Sequence, residues 1–97
     1  MKKIEEIKNV LIQNRALIKQ RFKIDIIGIF GSYIRGQAND NSDIDILIKI
    51  DESADLIDLC GAANYLEEML QITVDVVPID AIREELKDFI FKDIYYI

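Results

Sequence analysis

The sequence predicts an α+β fold of two layers, in which three strands form a small sheet and helices cover it. Three observations support this prediction. Residues 3–20 have apolar side chains at helical spacing, residues 42–50 have isoleucine at every second position, and helical and extended patterns follow each other along the rest of the chain. The length of 97 residues suits a single domain, which we expect to span residues 1–97.

A helix and a strand are predicted first. The helix over residues 3–20 is amphipathic, and its apolar positions are Ile4, Ile7, Val10, Leu11, Leu17 and Ile18. Lys23–Phe30 is rich in isoleucine and predicts a strand. Gly31 and Gly36 then bracket a turn that can hold a short helix, and Gln37–Ser42 has the composition of a loop. This short connection allows either an antiparallel neighbour or a tight crossover to the next strand.

The second strand is predicted over Ser42–Ile50. Side chains two residues apart in a strand point to the same side, so the isoleucines at positions 44, 46, 48 and 50 form one face, which belongs in the core. The opposite face carries Asp43, Asp45, Leu47 and Lys49. We therefore expect both aspartates to be available for binding.

The second half of the chain predicts a helix and then a strand. Ser53 is the expected N-cap of a helix over residues 54–70. The inward side of this helix is expected to comprise Leu56, Leu59, Cys60, Ala63, Leu66 and Leu70. Gln71–Val77 is rich in β-branched residues and predicts a third strand, which ends at Pro78.

A last helix and an apolar chain end complete the prediction. Asp80 is the expected cap of a helix that runs to about Asp93. This helix should bury Ile82, Leu86, Phe89 and Ile90. The last three residues, 95–97, are expected to be exposed. An apolar cluster near this end is either an interface or part of a buried helical face; its members are Ile90, Phe91, Ile94, Tyr95, Tyr96 and Ile97.

Charge is distributed unevenly along the chain, whose formal net charge is −6. Residues 1–23 carry seven Lys or Arg and two Glu, whereas residues 24–97 carry five Lys or Arg and sixteen Asp or Glu. The acidic balance argues against nonspecific nucleic-acid binding by the whole surface. The basic first helix is either a solvated face or a surface for phosphates or a partner.

The histidine and cysteine content narrows the possible chemistry. Histidine is absent and Cys60 is the only cysteine. This excludes Ser-His-Asp and Cys-His catalysis, imidazole metal sites, an internal disulfide and a cysteine-based zinc cluster. Catalysis would then depend on carboxylates, hydroxyls, Lys, Arg or backbone amides, and a bound metal would be one that prefers oxygen ligands. Cys60 itself is expected to be a small buried residue.

Targeting signals are not apparent in the sequence. No apolar run approaches the length of a transmembrane helix, and the charged start lacks the apolar stretch of a signal peptide. We therefore expect a cytoplasmic protein that does not associate with membranes.

Three aspartates are candidates for a metal site. Asp43 and Asp45 lie two residues apart in a strand, with Cα atoms roughly 6.6 Å apart and side chains on one side. Taken alone, this pair could simply be solvated. Asp75 lies in an otherwise apolar strand, where a carboxylate needs either an exposed edge or a cation, because burying it unpaired is costly. If the two strands are adjacent, the three carboxylates repel one another unless cations bind or one carboxyl holds a proton.

Gly31 and Ser32 are candidates for phosphate binding. A Gly-Ser turn after an apolar strand offers free amide groups, a hydroxyl and close approach to the backbone. Alone, the dipeptide is better explained as an ordinary strand-to-helix turn. The sequence contains neither a Walker P-loop nor a dinucleotide-binding glycine motif. Together with the aspartates, the turn would form a site that holds the phosphates of a nucleotide on one side and divalent metals on the other. Such a site would suit phosphoryl or nucleotidyl transfer.

These motifs together resemble a known family. Phe30–Gly36 reads Phe-Gly-Ser-Tyr-Ile-Arg-Gly, Ser42–Leu47 reads Ser-Asp-Ile-Asp-Ile-Leu, and Asp75 follows in a later strand. This order and spacing are similar to those of the minimal nucleotidyltransferase (MNT) domains of the DNA polymerase β-like nucleotidyltransferase superfamily. The resemblance covers nearly the whole chain. Ile34 stands where alanine is common, a difference that concerns turn packing.

The resemblance implies a fold and a set of site residues. The fold is the small nucleotidyltransferase fold, with a mixed, mainly antiparallel sheet backed by helices. The implied catalytic residues, which would also bind two Mg²⁺ ions, are Asp43, Asp45 and Asp75. Asp75 would also help to deprotonate the attacking hydroxyl. The implied residues for ATP are Gly31 and Ser32 for the triphosphate, and Arg35, which either reaches phosphates or pairs with a surface acid.

The resemblance also implies a partner. In many such systems the MNT protein is an antitoxin that transfers AMP from ATP to a tyrosine of a HEPN-domain RNase toxin. We therefore expect a HEPN toxin as partner, a homo- or hetero-oligomer, and no direct contact with nucleic acid. A chain of 97 residues leaves little room for a deep acceptor cleft, so another molecule should present the acceptor. Two alternatives stay open: a non-catalytic module that masks the toxin, and a transferase acting on a small molecule.

Overall fold

The computed structural model describes residues 3–39 and 41–97. Its elements are, in chain order, α1 (Ile4–Phe22), β1 (Ile24–Phe30), β2 (Ile44–Ile50), α2 (Leu56–Leu70), β3 (Val74–Pro78), a 3₁₀ helix (Ile79–Ala81), α3 (Glu84–Lys92) and β4 (Tyr95–Tyr96). The predicted α+β class with a mixed sheet backed by helices is confirmed. Within the described ranges, no helix is both long and apolar enough to span a membrane.

The sheet has the strand order β3-β2-β1-β4. β1 pairs antiparallel with β2 and with β4, whereas β2 and β3 are parallel. The short connection after β1 therefore leads to an antiparallel neighbour, one of the two arrangements that the sequence allowed. A bulge in β1 shifts the register between Ile26 and Gly28, and the extra residue, Ile27, accepts a backbone hydrogen bond from Ile97 at 3.0 Å.

One face of the sheet, the inner face, carries the core. The predicted isoleucines at 44, 46 and 48 are fully buried there, together with Ile24, Ile26 and Ile29 of β1. α1 contributes Ile7, Leu11 and Ile18 to this core, and α2 contributes Ala62, Leu66 and Leu70. The alternation in 42–50 therefore identified the buried side of β2 correctly.

The opposite or outer face is partly covered by the chain that returns from β3 to β4. Leu47 lies on this face and is nevertheless fully buried. Its register neighbour in β1 is Gly28, and the Ile94 side chain lies directly over that glycine. The 3₁₀ helix and α3 connect the two edges of the sheet, so this segment crosses the outer face and shields Leu47.

The start of α2 differs from the prediction, and Ser53 is not its cap. Asp55 is the N-cap, and its carboxylate accepts from the Asp58 amide at 2.9 Å, while the Asp58 carboxylate accepts from the Asp55 amide at 3.1 Å. Ser53 donates instead to Asp51 through both its amide and its hydroxyl. The two reciprocal hydrogen bonds of this capping box stabilise a helix that starts at Leu56 rather than at residue 54.

The predicted inward side of α2 is confirmed for Leu66 and Leu70, which are buried, and is wrong for two other positions. Leu56 is 72% exposed and Cys60 is exposed rather than buried, whereas Ala63 is half-buried. Ala62, Leu66 and Leu70, spaced four residues apart, turn inward. α2 ends at Leu70, and its C-cap Gln71 is left-handed with φ 58° and donates its amide to the Glu67 carbonyl, so β3 begins later than predicted. Pro78 is the last residue of β3 rather than the residue after it.

The last helix and the chain end depart furthest from expectation. Asp80 lies in the 3₁₀ helix, and α3 begins at Glu84 without a side-chain cap. Leu86 and Phe89 are 48% and 61% exposed, so the expected burial of both is wrong. The chain end forms a fourth strand that was not predicted. Only Tyr96 is exposed there, as expected, whereas Tyr95 and Ile97 pack against the core.

Candidate functional site

Asp45 and Asp75 are register partners in the parallel pair of β2 and β3. The pair is aligned at its start, where the Ile44 amide donates to the Thr73 carbonyl at 2.9 Å. α2 fixes the other strand, because the Glu67 carboxylate accepts from the Val74 amide at 3.0 Å. Both aspartates therefore stand on the outer face, side by side, as the adjacency of their strands requires.

Asp43 enters the site from the loop before β2. It is exposed and lies two residues ahead of Asp45, outside the strand itself. The loop is held by Asn39 and Ser42, because the Ser42 amide donates to the Asn39 carbonyl at 3.0 Å and the Ser42 hydroxyl accepts from the Asn39 amide at 2.9 Å. These bonds fix the direction in which the chain reaches Asp43.

The turn after β1 brings Gly31 against Asp45. Gly31 has φ +84°, and a β-carbon at this position would collide with the Asp45 carboxylate. The amides of Ile34 and Arg35 both donate to the Gly31 carbonyl at 3.1 Å, and the Gln37 amide donates to the Ser32 carbonyl at 2.9 Å. The predicted glycine turn is therefore a hydrogen-bonded turn rather than a helix, and its glycine is required by the carboxylate beside it.

Burial and three nearby charged side chains shift the pKa of Asp45. Burial raises the pKa of Asp45 above its ordinary value, the negative charges of Asp75 and then Asp43 raise it further, and the Arg35 guanidinium lowers it in part. Arg35 is exposed, and its Nε donates to the Gln37 side chain at 3.3 Å. The predicted site residues therefore influence one another electrostatically, although they come from three separate segments.

Asp43, Asp45 and Asp75 are the candidate ligands for a divalent cation at this place. Across residues 3–39 and 41–97, no three His, Cys, Asp or Glu side chains are gathered closely enough to form a ready-made metal site. The side chains available at this place are carboxylates, whose oxygens are the ligands that Mg²⁺ prefers. A cation would also relieve the repulsion that Asp45 experiences from its two neighbours. The chemistry of these residues fits Mg²⁺.

Gly28 was not singled out from the sequence. A β-carbon there would stand 2.6 Å from the Tyr95 carbonyl oxygen and 3.0 Å from the Ile94 side chain. Gly28 thus lets β4 and the preceding residue close over the outer face. The available signal was a glycine within an isoleucine-rich strand, which often marks a bulge or a close backbone approach.

Comparison with known proteins identifies the chain. Residues 11–97 match the family described as "Nucleotidyltransferase domain". The chain belongs to this family. A relative in Thermococcus cleftensis, the protein adenylyltransferase MntA, is 32% identical over 94 residues, which cover 97% of this chain and 95% of the relative. The predicted enzyme class is confirmed.

Two solved structures extend this comparison to the fold of the nucleotidyltransferase. One is described as a candidate minimal nucleotidyltransferase and superimposes with a TM-score of 0.72 at 25% identity, covering 92% of this chain and 93% of the other. The second is a chain from a toxin–antitoxin crystal structure with AMP-PNP, with a TM-score of 0.72 at 28% identity, covering 92% of this chain and 70% of that one. The nucleotidyltransferase fold implied by the motifs is therefore confirmed.

Proposed function

We propose that this nucleotidyltransferase transfers AMP from ATP, with Mg²⁺, to a tyrosine hydroxyl of a HEPN-domain RNase toxin and so acts as its antitoxin. The observation that carries the proposal is the register pairing of Asp45 with Asp75 beside the Gly31 turn. The name of the Thermococcus relative supports a protein acceptor. The toxin–antitoxin structure with AMP-PNP supports an adenine nucleotide and a toxin partner.

In the proposed reaction, the acceptor oxygen attacks the α-phosphorus of ATP. The bond between the α-phosphorus and the bridging oxygen to the β-phosphate breaks, and pyrophosphate leaves. The Asp75 carboxylate, exposed on the outer face, takes the proton of the hydroxyl. Backbone amides of the turn at Gly31 and Ser32 hold the triphosphate, and the cationic Arg35 adds attraction for it.

Mg²⁺ would be held by Asp43, Asp45 and Asp75. When bound, it neutralises the phosphates and stabilises the charge that develops during transfer. The carboxylates of this chain supply the negative charge that retains the ion, and the repulsion between them is the reason that they suit a dication.

The toxin partner is proposed from the motif resemblance and from charge. The nucleotidyltransferase carries a net charge of −6. A partner that binds RNA needs a basic surface, so attraction between the two proteins would speed their encounter and weaken with salt.

The test is intact-mass spectrometry of the product of the neighbouring gene after co-expression with this chain. The wild-type chain should add one or more adenylyl groups, and Asp43→Asn/Asp45→Asn should add none. Glu52→Gln/Glu68→Gln removes two exposed carboxylates elsewhere and should behave as the wild type. An unmodified neighbour in a tight complex with the wild-type chain would refute transfer and favour neutralisation by masking.

A further inference from the structure

Glu67 holds the connection between α2 and β3 through two different acceptor groups. Its backbone carbonyl accepts from the Gln71 amide at 2.8 Å, which closes the last turn of α2. Its side-chain carboxylate accepts from the Val74 amide at 3.0 Å. The chain changes direction between these two bonds at Gln71, whose φ is 58°. A single half-buried residue therefore ties the end of the helix to the start of the strand.

The Val74 amide faces the open side of β3. β3 is the outermost strand in the order β3-β2-β1-β4, so it pairs with β2 on one side only. The Ile44 amide of β2 donates to the Thr73 carbonyl, which places the backbone groups of Thr73 on the paired side. Backbone groups of successive residues in a strand point to alternate sides, so those of Val74 point away from β2. Glu67 thus takes the place of a neighbouring strand for this amide.

Asp75 follows Val74 directly and is the first site residue that this bond can position. Its backbone groups point back toward β2, where Asp45 is its register partner. The start of β3 is thus held from both sides, by β2 at Thr73 and by Glu67 at Val74. Glu67 belongs to α2, which packs on the inner face, whereas the Asp75 carboxylate stands on the outer face. Glu67 therefore acts on that carboxylate through the backbone of β3.

We propose that Glu67 is a positioning residue that keeps the Asp75 carboxylate in register with Asp45 during AMP transfer. The inference rests on the proposed function for the role of Asp75 as base and metal ligand. Without the bond to Val74, the start of this edge strand is anchored on one side only and can move away from β2. A misplacement of about 1 Å can lower a rate by about 100-fold, so a hydrogen bond outside the site can limit turnover.

Two substitutions separate the reach of the Glu67 side chain from its charge. Glu67→Asp keeps the negative charge but shortens the side chain by one methylene, so its oxygens fall short of the Val74 amide. Glu67→Gln loses the charge but keeps an acceptor oxygen at the same distance from the backbone. Positioning through the hydrogen bond predicts that Glu67→Asp is impaired and that Glu67→Gln is not. A role for the charge predicts the reverse.

Tyr65 provides a matched control on the same helix. Its hydroxyl donates to the Asn14 side chain at 2.9 Å, a bond that joins α2 to α1. Tyr65→Phe removes this bond and keeps the ring. Tyr65→Phe and Glu67→Asp therefore each remove one partly buried hydrogen bond of α2, but only Glu67→Asp affects the strand that carries Asp75.

The first readout is single-turnover AMP transfer to the purified product of the neighbouring gene, at saturating ATP and below the melting transition of every variant. Glu67→Asp should lower the rate by roughly tenfold to 100-fold, whereas Glu67→Gln and Tyr65→Phe should stay within about twofold of the wild type.

Two further readouts need no acceptor protein. Amide hydrogen exchange followed by NMR should be faster at Val74 in Glu67→Asp and unchanged there in the other two variants. The Mg²⁺ concentration that gives half of the thermal stabilisation should rise in Glu67→Asp alone, because the Asp75 carboxylate is displaced from the other two ligands.

Three results would overturn the inference. The first is a wild-type rate in Glu67→Asp, and the second is a loss in Glu67→Gln as large as that in Glu67→Asp. The third is an equal loss in Tyr65→Phe, which would assign the effect to a general loosening of α2. If the wild type transfers no AMP, the proposed function fails. The exchange at Val74 and the Mg²⁺ series then still decide the inference, and unchanged values in Glu67→Asp would refute it.

Discussion

Asp45 and Asp75 are thirty residues apart in the chain and directly opposite each other in the sheet. The parallel pairing of β2 with β3 creates this relationship, and α2 is the crossover that a parallel pair requires. The distance between the two carboxylates therefore depends on how α2 packs, because this helix positions β3 beside β2. The site is part of the sheet rather than of a mobile loop.

Removal of the Asp45 charge should stabilise the metal-free protein at neutral pH. Burial and the neighbouring acids raise the pKa of Asp45, so the folded state holds this proton more tightly than the unfolded chain does. The contribution of Asp45 to the free energy of unfolding is then greatest below pH 3.8, its ordinary pKa, and it declines as the pH rises through the raised pKa. Asp45→Asn should raise the melting temperature at pH 7 in EDTA by roughly a few degrees.

Asp51 provides a control of opposite sign. Hydrogen bonds from the Ser53 amide and hydroxyl lower the pKa of Asp51, so its stabilising effect is present above 3.8 and is lost as the pH falls through the lowered pKa. Asp51→Asn should therefore lower the melting temperature at pH 7. A pH series in which Asp45→Asn and the wild type melt together at every pH would contradict the raised pKa.

Mg²⁺ should stabilise the protein through the carboxylates. A ligand that binds only the folded state at about one hundred times its dissociation constant adds about 2.7 kcal/mol. The melting temperature of the wild type should rise with Mg²⁺ concentration, whereas that of Asp43→Asn/Asp45→Asn should not. Differential scanning fluorimetry over a Mg²⁺ series checks this, and an equal rise in both proteins would place the cation elsewhere.

Gly31→Ala should be more destabilising than Gly36→Ala. Both glycines have positive φ, 84° and 71°, a conformation that costs other residues about 1 kcal/mol. Only Gly31 faces the Asp45 carboxylate, whereas a β-carbon on Gly36 meets nothing within 4 Å. Urea denaturation should show the larger loss at Gly31, and nucleotide transfer should fall with it. Equal losses of stability would mean that the positive φ alone, and not the Asp45 carboxylate, requires glycine at position 31.

Asp75→Asn should reduce the rate of transfer while leaving the fold intact. Loss of a general base typically lowers rates by about 10²–10⁴-fold. Asp75 is exposed at the edge strand, so the amide replaces it without a packing change. Single-turnover kinetics on the acceptor measure this directly. A variant with wild-type rates would exclude Asp75 as the base, and Asp80→Asn, exposed in the 3₁₀ helix, serves as the control.

The local patterns predicted most of the fold and the candidate site. The isoleucine alternation located β2, and the acids on its other face led to the metal hypothesis. The start of α2 was missed because three nearby groups, Asp51, Ser53 and Asp55, compete for the cap, and only the reciprocal bond with Asp58 decides the start.

The parts that could not be predicted depend on contacts between distant segments. β4 contains two residues and pairs with β1 nearly seventy positions earlier, so no local pattern indicates it. The amphipathic spacing of α3 was read correctly, but periodicity identifies an apolar stripe without saying whether this chain covers it. Leu86 and Phe89 therefore looked like core residues.

The bulge in β1 determines which face of the sheet the later residues of that strand point to. Ile24, Ile26 and Ile29 all point inward only because one additional residue, Ile27, interrupts the alternation between them. If Ile27 instead took a regular place in the ladder, every side chain that follows would be inverted, and the glycine turn would arrive from the helical side of the sheet instead of the carboxylate side. A one-residue slip of register in β1 would thus separate the Gly31 turn from the acids, with the sequence of both left intact.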